Sequence, residues 1–439
     1  MTGPNDQSGG RSRRDVLKAA VAVGGSVGLS ACLDAVGYRG TDAEPVPSGP
    51  ADRSTLPTRQ FAWGEHVRRD QFGNEQLPTH QTLLYLTLPG DGPPSADDRA
   101  TVERAFTRLD EAYAWDSEAL LRSIAYSPEY FQRYGSAPEG VEVHPAKRLS
   151  PFETPDFDRQ DALLHLASDR PDALLEAELA LTGERSTPNG VAFDAALTDV
   201  FEVDDRRTGF IDAGLPAEKQ EGLEGIPEDE PVPEASPLFM GFKAGFAKNQ
   251  APLDRVTIQE GPFAGGTTKH VANLRQRLED WYGEQNFTQR VMEMFSPMHA
   301  ENDWIEGVGE NLEDDSRVDE TLDTIREQAR EFGRIGHAQK AARANRDPDG
   351  TVVLNRRHFE SADDGVASLH FPSLQRDMSE FDAVRRAMNG QDLTEATPAV
   401  RQRVNNGILE YIFVRHRGNF VVPPRDIRAL PTPAGEVPT

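Results

Sequence analysis

The single cysteine of this 439-residue chain, Cys32, directly follows Leu29-Ser30-Ala31. Leu-Ser-Ala-Cys has the form of a prokaryotic lipobox, in which the thiol takes a lipid and becomes the mature N-terminus. Cys32 is therefore the expected lipidation site, and one thiol excludes any intrachain disulfide. Upstream, Arg13 and Arg14 precede the weakly apolar run AAVAVGGSVGLSA. A charged n-region before a short apolar h-region is the layout of an export signal. The run is too short, and too rich in Gly and Ser, to span a bilayer. The paired arginines read as the address of the twin-arginine pathway. The expected partners are the twin-arginine translocase and a membrane held through a lipid anchor, which places the chain on the extracellular face of the cell membrane. Elsewhere there is no Walker loop, no HExxH and no cysteine cluster. The glycine-rich GPFAGG at 261–266 lacks the Lys-Ser/Thr ending of a phosphate cradle and reads as a turn before a helix.

The net charge is −26, and only 7 of the 47 basic residues are lysine. An acidic, lysine-poor surface fits a halophilic setting, where salt screens repulsion between like charges. It argues against nucleic-acid binding, which needs basic stripes. Residues 1–31 form the signal. Residues 32–78, rich in Pro, Gly, Asp and Arg without apolar periodicity, read as a disordered tether. About 360 residues follow, enough for two ordinary domains.

Those residues alternate short apolar runs with amphipathic stretches. Thr82–Leu88, Leu120–Tyr126 and Asp161–Ala167 read as buried strands, and 96–115 and 171–183 as helices. Ser127-Pro128 supplies an N-cap and a proline suited to the first helical position. The acidic, Pro-rich 215–236 reads as a surface loop. Beyond it the rhythm returns: Leu238–Phe246 as strand, His270–Tyr282 as helix, Thr351–Asn355 and Ala367–Leu374 as strands, and Glu380–Asn389 as a helix stopped by Gly390. The expected fold class is α+β, with two ferredoxin-like domains on antiparallel sheets at 79–236 and 237–430.

A series of segments, in order over roughly 80–428, resembles the dye-decolourising peroxidases, a haem family built of two ferredoxin-like halves of the dimeric α/β-barrel type. LLRSIAYSPEYFQRYG and RLSPFETPDFDRQDALLHLASDR resemble its early strand segments. RRTGFIDAG resembles its distal GFxDG signature, GHAQKAARAN the segment of its proximal histidine, and GTVVLNRRHF its arginine strand. The stretches from ASLHFPSLQ and from NNGILEYIF resemble its closing segments.

The resemblance implies haem b with iron ligated by His337, because imidazole is a strong neutral donor. It makes Asp212 the distal acid–base group, since a buried carboxylate can move a proton between peroxide oxygens. The distal arginine, a fixed cation for the charge on the leaving oxygen, is Arg356 when the paired arginines are matched. Matching the preceding apolar pair places Asn355 there instead. Arg357 is a second candidate toward the cofactor. Arg275, ahead of His270 and Asn273, is the candidate for a haem propionate. Trp281, Tyr282, Trp304 and Tyr411 could relay electrons. The implied activity is an exported haem peroxidase that reduces hydrogen peroxide with an unknown reductant. The usual last glycine of the distal signature is Ala213 here. That departure and the arginine register keep a second reading open: a haem-less or non-catalytic surface lipoprotein on the same scaffold.

Overall fold

Near-continuous apolar runs mark strands covered on both faces, and the computed structural model, which describes residues 44–435, shows why they occur here. Besides a small ribbon of Arg68–Arg69 with Glu75–Gln76, the strands of the main sheet are β1 (His80–Thr87), β2 (Leu121–Tyr126), β3 (Ala162–Ser168), β4 (Glu202–Phe210), β5 (Thr267–Gln276), β6 (Asn355–Arg356), β7 (Phe359–Ser361), β8 (Ser368–Gln375) and β9 (Ile412–Val422). Among the described residues they form one sheet, ordered β7-β4-β1-β3-β2-β9-β5-β8-β6, with Asp156–Phe157 pairing parallel to β9. The order β4-β1-β3-β2 is ferredoxin-like. The later strands repeat it as β9-β5-β8-β6. The fold is thus α+β with two ferredoxin-like halves.

The short β7 pairs antiparallel with β8 (Phe359↔His370) and also with β4 (Glu360↔Phe210), so the sheet closes on itself as a barrel. Leu83 and Tyr85 of β1 pack with Leu163, Phe359 and Phe420 in one core cluster, while Leu84 and Leu86 belong to another. The second cluster holds the helices α1 (Ala96–Ala112) and α2 (Pro171–Leu181) against the first half. A capping box of Ser95 with Asp98 starts α1. Ser127 caps the short helix Pro128–Gln132, as its sequence predicts. In the second half, β5 and β6 are joined by a long helical insertion that includes α3 (Ile325–Phe332) and α4 (His337–Ala344), and α5 (Met378–Ala387) connects β8 to β9.

Several expectations are corrected. The residues of the expected tether from 44 onward pack on the barrel: Phe61 and Trp63 are 1% exposed, and Trp63 donates its indole N–H to the Gln60 carbonyl. Leu238–Phe246 is not a strand, because Gly241 and Gly245 take positive φ and break the run. His270–Gln276 belongs to β5, and the helix there spans only Leu278–Gly283. The spacing of Val271, Leu274, Leu278 and Trp281 imitates a helical face across a strand–helix junction. GPFAGG consequently turns into a strand. The 215–236 loop buries Leu215, Ile226 and Val232 in a core cluster rather than lying wholly at the surface. Of the expected strand Thr351–Asn355 only Asn355 belongs to a strand, the two-residue β6. Arg13, Arg14 and Cys32 lie outside the described residues. Among those described, no helix is long and apolar enough to cross a membrane.

Candidate functional site

The outer face of the second half is not sealed by its helices. Between α4 and the strands lie two adjoining cavities of about 190 and 250 Å³. Both are lined by His337, Ala341 and Asn345 of the α4 segment and by Leu274, Arg356, Phe371 and Ile412 from the sheet side, so they form one slot. His337 opens α4, and Ala338, Ala341 and Ala342 follow it on the slot-facing side. These small side chains keep the slot open along the helix.

The start of α4 is fixed by close backbone approaches. A Cβ at Gly336 would fall 1.7 Å from the Phe295 carbonyl oxygen, and one at Gly407 would fall 2.9 Å from the His337 Cα. Gly407 also has φ +59°, a region that favours glycine. The Gly407 amide donates to the Ile335 carbonyl at 2.9 Å. On the far side of α4, buried Lys340 donates through Nζ to the Asn406 side-chain oxygen at 2.6 Å and its carbonyl at 2.7 Å. Burial drives the Lys340 ammonium well below its ordinary pKa. The His337 imidazole is held down to about 3, first by desolvation and then by the charges of Lys340 and Arg356. It is neutral at physiological pH, the form that ligates metal. Its Nδ1 is buried without a hydrogen-bond partner.

Facing it, the segment from β6 to β7 alternates. Arg356, His358 and Glu360 line the slot, whereas Asn355, Arg357 and Phe359 do not. Arg356 donates to the Asn249 carbonyl at 2.9 Å, and its Nε has no partner. No carboxylate lies within ion-pair distance of it among the described residues. Burial lowers Arg356 to about 10, so it stays cationic. Arg357 points the other way, donating to the Phe61 carbonyl at 2.5 Å with its guanidinium over the Trp63 ring. The strand alternation thus puts Arg356, and neither Asn355 nor Arg357, beside His337.

Glu360 accepts the Phe239 amide at 2.8 Å and the Gln276 side-chain amide at 3.0 Å, and burial raises it to about 8. A carboxyl whose folded pKa exceeds its unfolded value stabilises the fold below the unfolded pKa, and that contribution is lost as pH rises through about 8. At about 1.4 kcal/mol per unit the effect is on the order of a few kcal/mol. Glu360→Gln is therefore expected to flatten the fall in thermal unfolding midpoint between pH 5 and 9. An unchanged slope would remove Glu360 as its source.

The slot has a cationic end. Arg385, Arg403 and Arg417 line it with Glu153 as the one carboxylate. Glu153 pairs with Arg417 at 2.8 Å and Arg385 at 3.3 Å. Arg403 donates instead to the carbonyls of Leu409 and Ile412. Arg275, the expected propionate partner, lines neither cavity and is paired with Glu224 at 2.5 Å. His270 and Asn273 are buried on the same strand, His270 stacked on Phe381 at 3.7 Å. The opposite end of the slot is apolar, formed by Met240, Phe242, Phe246 and Phe295.

An outer groove of about 480 Å³ meets the slot at Leu238, Lys243, Arg356 and His358. Asp212 lies in this groove and not in the slot. Its side chain is 44% exposed, sits 3.5 Å from the Arg68 guanidinium and accepts the Ala213 amide at 2.8 Å. Of the aromatic relay candidates, buried Trp281 and Tyr411 contact each other edge-on at 5.0 Å, Tyr282 donates to the Phe239 carbonyl, and Trp304 lies under Arg317. None lines the slot.

The family model described as a family of unknown function (DUF7405) matches residues 78–424. This chain belongs to that family. No curated protein matches it. Solved structures similar to this DUF7405 member include the encapsulated DyP-type peroxidase from Mycobacterium smegmatis, 15% identical with a TM-score of 0.53, covering 85% of this chain and 100% of that one. DyPB from Rhodococcus jostii RHA1 is 17% identical with a TM-score of 0.50, over 83% and 99%. A DypB variant from the same organism, in complex with heme, is 17% identical with a TM-score of 0.51, over 81% and 96%. At these identities the likeness is one of fold: the DUF7405 chain has a peroxidase-like scaffold of two ferredoxin-like halves.

The haem that the sequence resemblance implies can be tested against the slot itself. The space lies between a helix face of alanines and a sheet wall, with one neutral imidazole at its edge, an unpaired guanidinium facing it and a surplus of arginines at one end. Among the described residues no group of three or more His, Cys, Asp or Glu side chains could hold a metal ion. The residues that line the slot fit the haem.

Proposed function

We propose that this DUF7405 member is an exported haem-dependent peroxidase that reduces hydrogen peroxide at the expense of an external reductant. The reading rests on one observation: neutral His337 and unpaired Arg356 line the same slot between α4 and the sheet. Bound haem would supply the electron transfer, exchanging electrons with peroxide and with the reductant. The chain's residues do the rest. His337 would hold the iron through its imidazole. Arg385, Arg403 and Arg417 would meet the propionates of the group, because guanidinium groups pair carboxylates bidentately. Ala338, Ala341 and Ala342 leave room along the helix, and the Phe242 and Phe295 end excludes water. Arg356 provides a fixed positive charge where the leaving oxygen becomes negative. Asp212, with Arg68, borders the groove through which peroxide enters.

A haem titration of the mature chain tests this. One equivalent should be taken up, with a Soret band of histidine ligation. No uptake would reject the reading and leave the haem-less scaffold, which the partnerless Nδ1 of His337 favours. Export is proposed on Arg13, Arg14 and Cys32: the twin-arginine translocase carries the folded chain, and lipid on Cys32 keeps it on the outer face of the membrane. Lysine at both positions 13 and 14 should trap the precursor inside the cell, and normal export of that variant would count against the route.

A further inference from the structure

Asp212 is held outside the slot by Arg68 and its own loop, and Glu360 inside it is engaged by the Phe239 amide and the Gln276 side-chain amide. The strand that carries Arg356 offers another group two residues on. His358 lines both the slot and the outer groove, at the junction where a molecule entering from the groove first meets Arg356. Its Nδ1 is buried and has no hydrogen-bond partner. Its ring lies nearly parallel to Phe371, at 10° and 6.1 Å between centroids, which sets the ring plane.

On this geometry we infer that His358 carries the proton during peroxide cleavage, with Arg356 beside it stabilising the departing oxygen. The inference rests on the haem reading of the slot. Burial and the Arg356 charge hold the His358 ring neutral, down to about 3, so it has a lone pair free to accept a proton at neutral pH. As peroxide enters, His358 accepts the proton of the inner O–H. It returns that proton to the outer oxygen as the O–O bond breaks, and the outer oxygen, keeping the bonding pair and both hydrogens, leaves as water. The remaining oxygen becomes a second water with two electrons and two protons that the reductant ultimately provides. The neutral imidazole therefore ends the cycle as it began.

The test uses haem-loaded protein. His358→Ala should react with hydrogen peroxide about 10²–10⁴-fold more slowly, the span typical of a positioned general acid–base group, and added imidazole should restore part of the rate. Cyanide affinity gives a readout apart from turnover. Hydrogen cyanide must lose its proton to bind as the anion, so His358→Ala should weaken it and imidazole should restore it. His358→Gln keeps the volume and polarity of the site against collapse; it should be as slow as the alanine variant and should not respond to imidazole. Asp212→Asn should cost less than either. A His358→Ala rate and cyanide affinity within tenfold of wild type would overturn the inference. So would a low-spin wild-type spectrum that turns high-spin in His358→Ala, which would make His358 a second iron ligand. If wild-type protein takes up no haem, the reading of the slot itself fails, a different result from either of these.

Discussion

Haem uptake is expected to collapse in His337→Ala. His337 is the imidazole that opens α4 into the slot, and the other slot histidine, His358, is assigned to protons rather than iron. Loss of partners that merely orient a metal ligand typically costs about 10–100-fold in affinity, so loss of the ligand itself should exceed about 100-fold. The helix should survive, because the features that fix its start belong to other residues. Gly336 and Gly407 provide the close backbone contacts, and Lys340 is tied to Asn406. Alanine also has the higher helix propensity. The thermal unfolding midpoint of the haem-free protein should therefore stay near wild type while the Soret band disappears. Retention of a histidine-type spectrum in His337→Ala would exclude this residue as the ligand.

Arg356→Leu is expected to separate chemistry from binding. Removing one preorganised donor for developing negative charge commonly costs about 10²–10³-fold in rate. The reaction of the haem-loaded protein with peroxide should slow by that order, with haem affinity little changed. Stability should not fall and could rise, because a buried guanidinium without a carboxylate partner carries a desolvation cost that leucine lacks. Arg357→Leu gives the opposite pattern. It removes the hydrogen bond to the Phe61 carbonyl and the stacking on Trp63, so the fold weakens while the peroxide rate holds. Stopped-flow rates and melting midpoints for both variants read the two effects apart. If Arg357→Leu were the slow variant, the strand would be turned by one residue from the register described.

The legible parts of this chain were those whose sequence signal arises locally. β1 and β3 read as strands because both faces are covered, by the barrel interior and by α1 and α2, which forces continuous apolar runs. α1 carried both a hydrophobic face and its capping box. β4 was missed because EVDDRRTGF is charged. Its polarity is satisfied only in three dimensions, with Arg206 bound to Glu178 and Arg207 to Asp158. His337 and Arg356 came from a family resemblance, not from any local pattern. His358 and Glu360 had a signal that went unused: in an extended reading of 355–361, positions 356, 358 and 360 share a face. The cationic end could not be foreseen, since Arg385, Arg403 and Arg417 come from three segments with no shared spacing. Arg275 offers the same carboxylate-pairing guanidinium in sequence, but the structure engages it with Glu224.

The order of the barrel strands has a consequence for how the chain is made. The four strands of the first half are all made by residue 210, yet at that stage no strand covers either border, and only the Gln60 side chain meets β2, at the backbone of Ile124. The β4 border is later met by β7 at Glu360↔Phe210, and the β2 border by β9 at Val421↔Tyr126. Open strand borders are templates for pairing with other chains. The nascent chain thus carries the first template until residues 359–361 are made and the second until 412–422 are made, and contacts between residues this distant in sequence form slowly. Nearly the whole polypeptide must leave the ribosome before its earliest-made part is protected. A stop codon between residues 211 and 411 would leave that part without a strand on its β2 border and without Val421, Ala429 and Leu430 in its core, and so prone to aggregate.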